Sequence, residues 1–260
     1  MLPSASMMKP LIRSVRIVAL CGLIAGCALP YKGGAHAVHP VQLGPGWLKA
    51  AETPVVTGQD ALDDLVALLD LERLEVNLFR GFSPAHSPTR VFGGQVAGQA
   101  LVAAGRTVDP DRVVHSLHAY FVRPGDPHAP IIFDVERIRD GRSFTTRRVR
   151  AVQHGEVIFA LAASFQLPQP GIEHSEPGPT GVPAPEELPD LGEWLRGERT
   201  FLSGVPRPLD LRFVEPPLWT SRRGPATDAP QRVWMRADGE LADDPMLHVC
   251  LLTYASDLTL

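Results

Sequence analysis

An α+β fold, with an antiparallel sheet curled round one very apolar helix, is predicted by three features of the sequence. The proline-free run VFGGQVAGQALVAAGRTV (residues 91–108) is built from Gly, Ala, Val and Leu, so a helix there has apolar surface on nearly every side. Directly behind it come four segments with the two-residue alternation of strands. The last three are joined at Asp140-Gly141 and His154-Gly155, both hairpin signals. Helix first and sheet second is a layered solution to burying one oily helix.

The elements follow in order. Lys9, Arg13 and Arg16 precede IVALCGLIAG, which is too short to span a bilayer but suits a signal-peptide core. Ile24-Ala25-Gly26-Cys27 then resembles the lipobox of bacterial lipoproteins, whose cysteine is lipidated. The other reading is a leader translated from an upstream start, with folding beginning near Asp60. Residues 29–58 are rich in Gly, Pro and Ala and read as a connector, so 1–59 form a leader and extension. From Asp60 to Val76, Leu62, Leu65, Leu69 and Glu72 recur at helical spacing and predict an amphipathic helix, which Phe79 to Gly81 closes.

The central helix comes next. The small side chains of this run would let the helix lie close to a sheet; the lesser alternative, that Gly93, Gly94 and Gly98 cradle phosphate, lacks the spacing of a phosphate-binding loop. HSLHAYFV, PIIFDVERIRD, RSFTTRRVRAVQ and EVIFALAASFQL are the four strands, completing a first domain over 60–168. From Pro168 to Pro230 lie half of the 26 prolines, so 169–209 reads as a linker with at most short helical turns near Trp194. A second unit, 210–260, opens with strand-like LRFVEPP and QRVWMRADG. PMLHVCLLTYASDLTL then carries Leu247, Leu251, Tyr254 and Leu258 on one helical stripe.

Composition narrows the function. The 260 residues carry a net charge of −4 without a basic run interleaved with aromatics, so nucleic acid is not an expected partner. Cys21, Cys27 and Cys250 lie too far apart for a zinc cluster, and no metal site or cofactor is expected. A nucleophile elbow, a Cys/His pairing motif and a zinc-protease motif are all missing, which leaves covalent catalysis unsupported.

The candidate for chemistry is Asp257, three and seven residues after Tyr254 and Cys250 on the flank of the apolar stripe. Burial without a partner would raise its pKa toward the range of a working base; a place on a polar face or helix end is the alternative. His115 and His118 lie three apart, hence on opposite faces of a regular strand, where a structural role competes with a place in a site. Arg142, Arg147, Arg148 and Arg150 crowd one strand. Arg148 and Arg150 share a face that could meet the phosphates of a nucleotide-bearing substrate, or serve as a solvated, edge-guarding surface.

Taken together, LLDLERLEVNLFRG, RVFGGQVAGQAL, VHSLHAYFVRPGD, IRDGRSFTTRRVRAVQHG, IFALAASFQ, QRVWMRADG and TYASDL resemble the acyl-CoA thioesterase II family from about Asp60 to the last residue. The resemblance implies a double hotdog fold, the first hotdog complete and the second incomplete, and hydrolysis of fatty acyl-CoA to fatty acid and CoA. It implies that Asp257 acts with a Thr or Ser and a Gln to activate water, without metal or cofactor. The latter two would lie on strands beyond Leu260, so a carboxy-terminally shortened and impaired enzyme is expected. Its second helix would leave ~400 Å² of apolar surface uncovered, which forgoes roughly 10 kcal/mol unless another surface covers it.

Further expectations accompany that resemblance. Backbone donors at the start of the second hotdog helix are a candidate oxyanion site, while Gly93, Gly94 and Gln95, with His118, Arg148 and Arg150, are candidates for binding acyl-CoA. A homo-oligomer in the cytoplasm is expected, since acyl-CoA is made and used inside the cell; membrane attachment would require lipidated Cys27. The rivals are a non-catalytic acyl-CoA binding module and a hotdog hydratase or dehydratase that needs His115 or His118.

Overall fold

Residues 55–84, 87, 89–172, 174, 177–198, 202, 204–217, 220 and 231–258 are described by the computed structural model, and the IVALCGLIAG run and Cys27 lie outside them. Among the described residues no helix is long and apolar enough to cross a membrane. Two compact units form: one from 55–180, 205–209 and 237–260, the other from 181–204 and 210–236.

Helix α1 (Gly58–Leu69) buries Ala61, Leu62, Leu65 and Leu69. Its first amide, that of Gly58, donates to the Asp238 carboxylate at 2.7 Å, an N-terminal partner supplied from far along the chain. The helix expected to reach Val76 ends seven residues earlier. Its apolar repeat meets Glu72 and Arg73 where the next core residue is needed, and Asp70 turns to extended backbone. Arg106 holds that turn by donating to the Leu71 carbonyl and the Asp70 carboxylate. Two short antiparallel strands follow, β1 (Glu72–Glu75) and β2 (Leu78–Gly81), with Arg80 and Glu72 paired across them at 2.6 Å.

Helix α2 (Gly93–Gly105) is the central helix the sequence predicts, and ten of its thirteen residues are buried. The four expected strands are β3 (Val113–Phe121), β4 (Ile131–Asp140), β5 (Phe144–Gln153) and β6 (Glu156–Gln166). With β1 and β2 they make one antiparallel sheet in the order β1-β2-β4-β5-β6-β3. Its inner face packs Phe133, Val135, Val149, Ala151, Phe159, Leu161, Ala163 and Phe165 into one core with α2. The β5–β6 turn places His154 and Gly155 at φ 50° and 79°, as a two-residue hairpin requires.

One expectation about β3 changes. A bulge between Val114 and Ser116 shifts the register, and the His115 ring joins His118 on the outer face instead of opposing it. There His115 Nε2 meets Ser164 Oγ at 2.8 Å, and His118 lies against Tyr120 with ring centroids 4.7 Å apart.

The arginines of β5 divide by face. Arg148 pairs with Glu136 and Arg150 with Asp134, both on the half-exposed outer side. Arg147 points inward and is 1% exposed. Its Nε donates to Thr107 Oγ1 and its Nη2 to the Thr107 carbonyl, both at 2.8 Å, and further bonds reach the Arg139 carbonyl and Asp140. The guanidinium thus ties the carboxy-terminal end of α2, where the helix dipole favours a cation, to the β4–β5 hairpin.

In the second unit, Asp190 caps the short helix α3 (Leu191–Leu195) by accepting from the Glu193 amide at 2.7 Å, which supplies the helical turn expected near Trp194. Strands β7 (Leu209–Phe213) and β8 (Val233–Ala237) pair as a two-stranded ladder.

Helix α4 (Pro245–Ser256) is capped by the Asp244 side chain, with Pro245 in the first turn. It returns to the first unit and lies antiparallel on α2. Contact points run from Gly94 against Tyr254, through Gly98 against Cys250, to Gly105 against Met246. A side chain at Gly94 would begin 2.2 Å from the Tyr254 carbonyl oxygen, a backbone atom that cannot swing aside. This docking buries Cys250, Leu251, Thr253 and Ala255, while Leu247, Tyr254 and Leu258 of the expected stripe stay partly exposed.

Replacing Arg147 by Ala would take the guanidinium donors from the Thr107 carbonyl and hydroxyl oxygens, leaving the hydroxyl only its bond to the Ala104 carbonyl, and urea denaturation should show a loss of about 2–4 kcal/mol. Replacing exposed Arg148 by Ala should stay within about 1 kcal/mol. Equal losses would contradict the anchoring role given to Arg147.

Candidate active site

The docking of α4 on α2 brings the end of one helix to the start of the other. Asp257 is the C-cap residue of α4, and its Oδ2 accepts a 2.9 Å hydrogen bond from the amide of Gly94, the second residue of α2. The glycine pair is what permits this approach. A Cβ on Gly93 would lie 2.7 Å from Asp257 Oδ2 and 2.7 Å from Phe121 Cε1. Gly93 therefore sits in a gap between a carboxylate and an aromatic ring, with no room for a larger residue.

Several influences set the proton affinity of Asp257. Burial raises its pKa above the usual carboxylate range, and this is the largest influence; the Gly94 amide and the charge of Arg90 lower it in part. Its position at the carboxy-terminal end of α4 adds a further penalty in principle, because that end carries the negative pole of the helix dipole. Among the described residues the hydrogen bond to Asp257 falls on Oδ2 alone. An acid oriented through one oxygen in this way could act as a base through the other.

The surroundings are aromatic and apolar. Phe92 packs edge-on against Tyr254 with ring centroids 5.1 Å apart, and Phe121 lies 5.1 Å from Phe159. Burial pushes the Tyr254 hydroxyl and the Cys250 thiol each up to about 12. A thiol so raised is not a nucleophile near neutrality.

Of the residues singled out in the sequence, Asp257, Gly93 and Gly94 come together. Gln95 follows them but is 1% exposed, and its amide nitrogen donates to the Phe82 carbonyl at 3.0 Å and Ser83 Oγ at 3.2 Å. Gln99 extends the same anchorage by donating to the Leu68 carbonyl at 2.7 Å. His118, Arg148 and Arg150 lie on the outer face of the sheet, away from Asp257. The amide donors expected from the start of the second helix are also displaced. That end of α4 lies twelve residues, about 18 Å, from Asp257, and the nearby donor is the Gly94 amide of the first helix. The glycine pair opening α2 is the sequence signal for this contact; Phe121 has none, since an aromatic in a strand reads as core.

Among the described residues no group of His, Cys, Asp and Glu is arranged to hold a metal. The Asp126–His154 pair, 3.3 Å apart, links the β3–β4 connection to the β5–β6 turn.

Comparison with known proteins gives a consistent result. Residues 83–166 match the family model of the acyl-CoA thioesterase N-terminal domain, and residues 208–260 match that of acyl-CoA thioesterase. Acyl-CoA thioesterase 2 of Haemophilus influenzae is 40% identical over 206 residues, covering 76% of this chain and 71% of that protein. Acyl-coenzyme A thioesterase 8 of Mus musculus is 41% identical over 211 residues, and the match covers 74% of this chain but 64% of the mouse protein. The crystal structure of acyl-CoA thioesterase II TesB2 from Mycobacterium marinum superposes with a TM-score of 0.59 at 47% identity, covering 76% of this chain and 68% of that one.

The raised pKa of Asp257 has a consequence for stability. Folding favours the protonated form, so stability is greatest below the unfolded value of about 3.9 and falls as pH rises through that value and the folded one. Asp257→Asn should therefore be at least as stable as the parent at pH 7, with its advantage gone near pH 4. Denaturation midpoints at the two pH values measure this; an Asn variant less stable at pH 7 than at pH 4, relative to the parent, would contradict it.

Proposed function

Because this chain belongs to the acyl-CoA thioesterase II family, we propose that it hydrolyses fatty acyl-CoA to free fatty acid and CoA, with Asp257 as the general base. The observation that carries this reading is the Asp257 carboxylate held by the Gly94 amide in a partly buried, aromatic-walled setting. Water bound to Oδ1 would lose a proton to it while its oxygen attacks the thioester carbonyl. The tetrahedral intermediate then expels CoA as a thiolate, which is a good leaving group and takes up the proton that Asp257 holds. The carbon–oxygen bond formed and the carbon–sulfur bond broken leave a fatty acid and free CoA, with the base restored.

The organisation of the whole enzyme belongs to the same proposal: a double hotdog whose first domain occupies 60–168, with a linker over 169–209 and a second hotdog opening over 210–260. The protein is taken to work as a homo-oligomer in the cytoplasm. His118, Arg148 and Arg150 have no part in the reacting centre, because they face the other side of the sheet and the two arginines are engaged by carboxylates. The hydratase rival depends on a histidine near the acid, and both His115 and His118 have partners on that outer face instead.

Release of free thiol from acyl-CoA is the direct test. Asp257→Asn should lower kcat/KM by about 10² to 10⁴ while acyl-CoA still binds by calorimetry. The acid limb of kcat/KM against pH should turn over above the ordinary carboxylate value of about 3.9, in keeping with the raised pKa. Binding without thiol release in the parent protein would favour the non-catalytic module.

A further inference from the structure

We propose that Phe121 selects among acyl groups by forming the wall on which the first carbons of the acyl chain lie. This rests on the thioesterase reading of Asp257. The argument begins with the gap at Gly93. Asp257 Oδ2 and Phe121 Cε1 are each 2.7 Å from the point where a Cβ on Gly93 would sit, on a residue that has none. Carboxylate and ring edge therefore face each other across a space no wider than two such distances. The ring edge thus stands on the side of the oxygen that the Gly94 amide holds, next to the carboxylate that a thioester carbonyl must approach.

Phe121 is also available for such a contact. It ends β3, which among the described residues is an edge strand paired with β6. As a residue it is 59% exposed even though its cross-strand neighbour Phe159 is 1% exposed. The ring rests one side on the core and presents the remainder to solvent beside the acid. An exposed aromatic has apolar area to gain from a methylene chain, whereas the Phe92 ring is turned into the Tyr254 contact. Selectivity from such a wall grows with chain length, because each added methylene has more ring to cover, and it is lost when the ring is removed.

The test compares dodecanoyl-CoA with butanoyl-CoA in the parent, Phe121→Ala and Phe121→Leu. Removing the ring should lower the ratio of kcat/KM for the long over the short substrate by about tenfold, with Leu between Ala and the parent. A ratio unchanged in both variants overturns the inference while leaving thioester hydrolysis intact. Should Phe121→Ala fail to fold, Phe121→Leu decides by the same ratio. If the parent releases no thiol, the functional reading fails, and calorimetry with S-dodecyl-CoA and S-butyl-CoA thioethers decides the wall. A preference for the longer thioether that weakens in Phe121→Leu supports it; no binding, or the same preference in the variant, overturns it.

Discussion

The approach of α4 to α2 at their glycine contacts is the constraint on which the rest depends. Two helices pack with axes 8–10 Å apart when ordinary side chains separate them, and small residues at the contact bring them to the near end of that range or closer. Gly94, Gly98 and Gly105 lie along one line of α2 and receive Tyr254, Cys250 and Met246 of α4 in reverse order. Because the helices run antiparallel, the carboxy-terminal end of α4 must arrive where α2 begins. An acid one residue past the end of α4 then meets an amide that its own helix cannot satisfy.

That meeting resolves a conflict between two helix ends. A carboxylate at the end of α4 is disfavoured by the α4 dipole and by burial, while the start of α2 favours it. The balance reached is a carboxyl whose pKa is raised but moderated, with burial outweighing the Gly94 amide and Arg90. Either influence alone would serve chemistry less well. Full stabilisation by α2 would make a weak base, and full burial would leave a neutral acid at physiological pH.

Holding α2 still is the task of groups that the reaction does not use. Gln95 and Gln99 anchor its first half to the carbonyls of Phe82 and Leu68, and Arg147 anchors its far end through Thr107. All three are polar residues within 1% of complete burial, and each satisfies its own donors on backbone or hydroxyl oxygens. A helix of mostly small side chains has few interlocking contacts to fix its rotation and slide. Directional hydrogen bonds at both ends provide what its packing lacks.

The parts visible in the sequence and the parts hidden from it separate on physical grounds. Local pattern marks α2, since its proline-free apolar run has no other use, and marks β3 to β6, since alternation and hairpin dipeptides are short-range signals. The turn that follows α1 is held by Arg106, over thirty residues away, and the facing of His115 is set by a single bulged residue; neither partner leaves a trace in periodicity. Arg147 and Arg148 are neighbours of identical chemistry, one buried and one exposed, and only the phase of the strand distinguishes them. Asp257 is the instructive case. Its spacing identified an acid beside an apolar stripe, but whether that acid is a solvated helix end or a held base depends on what lies opposite. The opposing group is a backbone amide, which every residue but proline possesses, so side-chain identity could not reveal it. What the sequence does carry is the missing Cβ at 93 and 94: two glycines at a helix start, where helix propensity disfavours them, have a reason only if something must come that close.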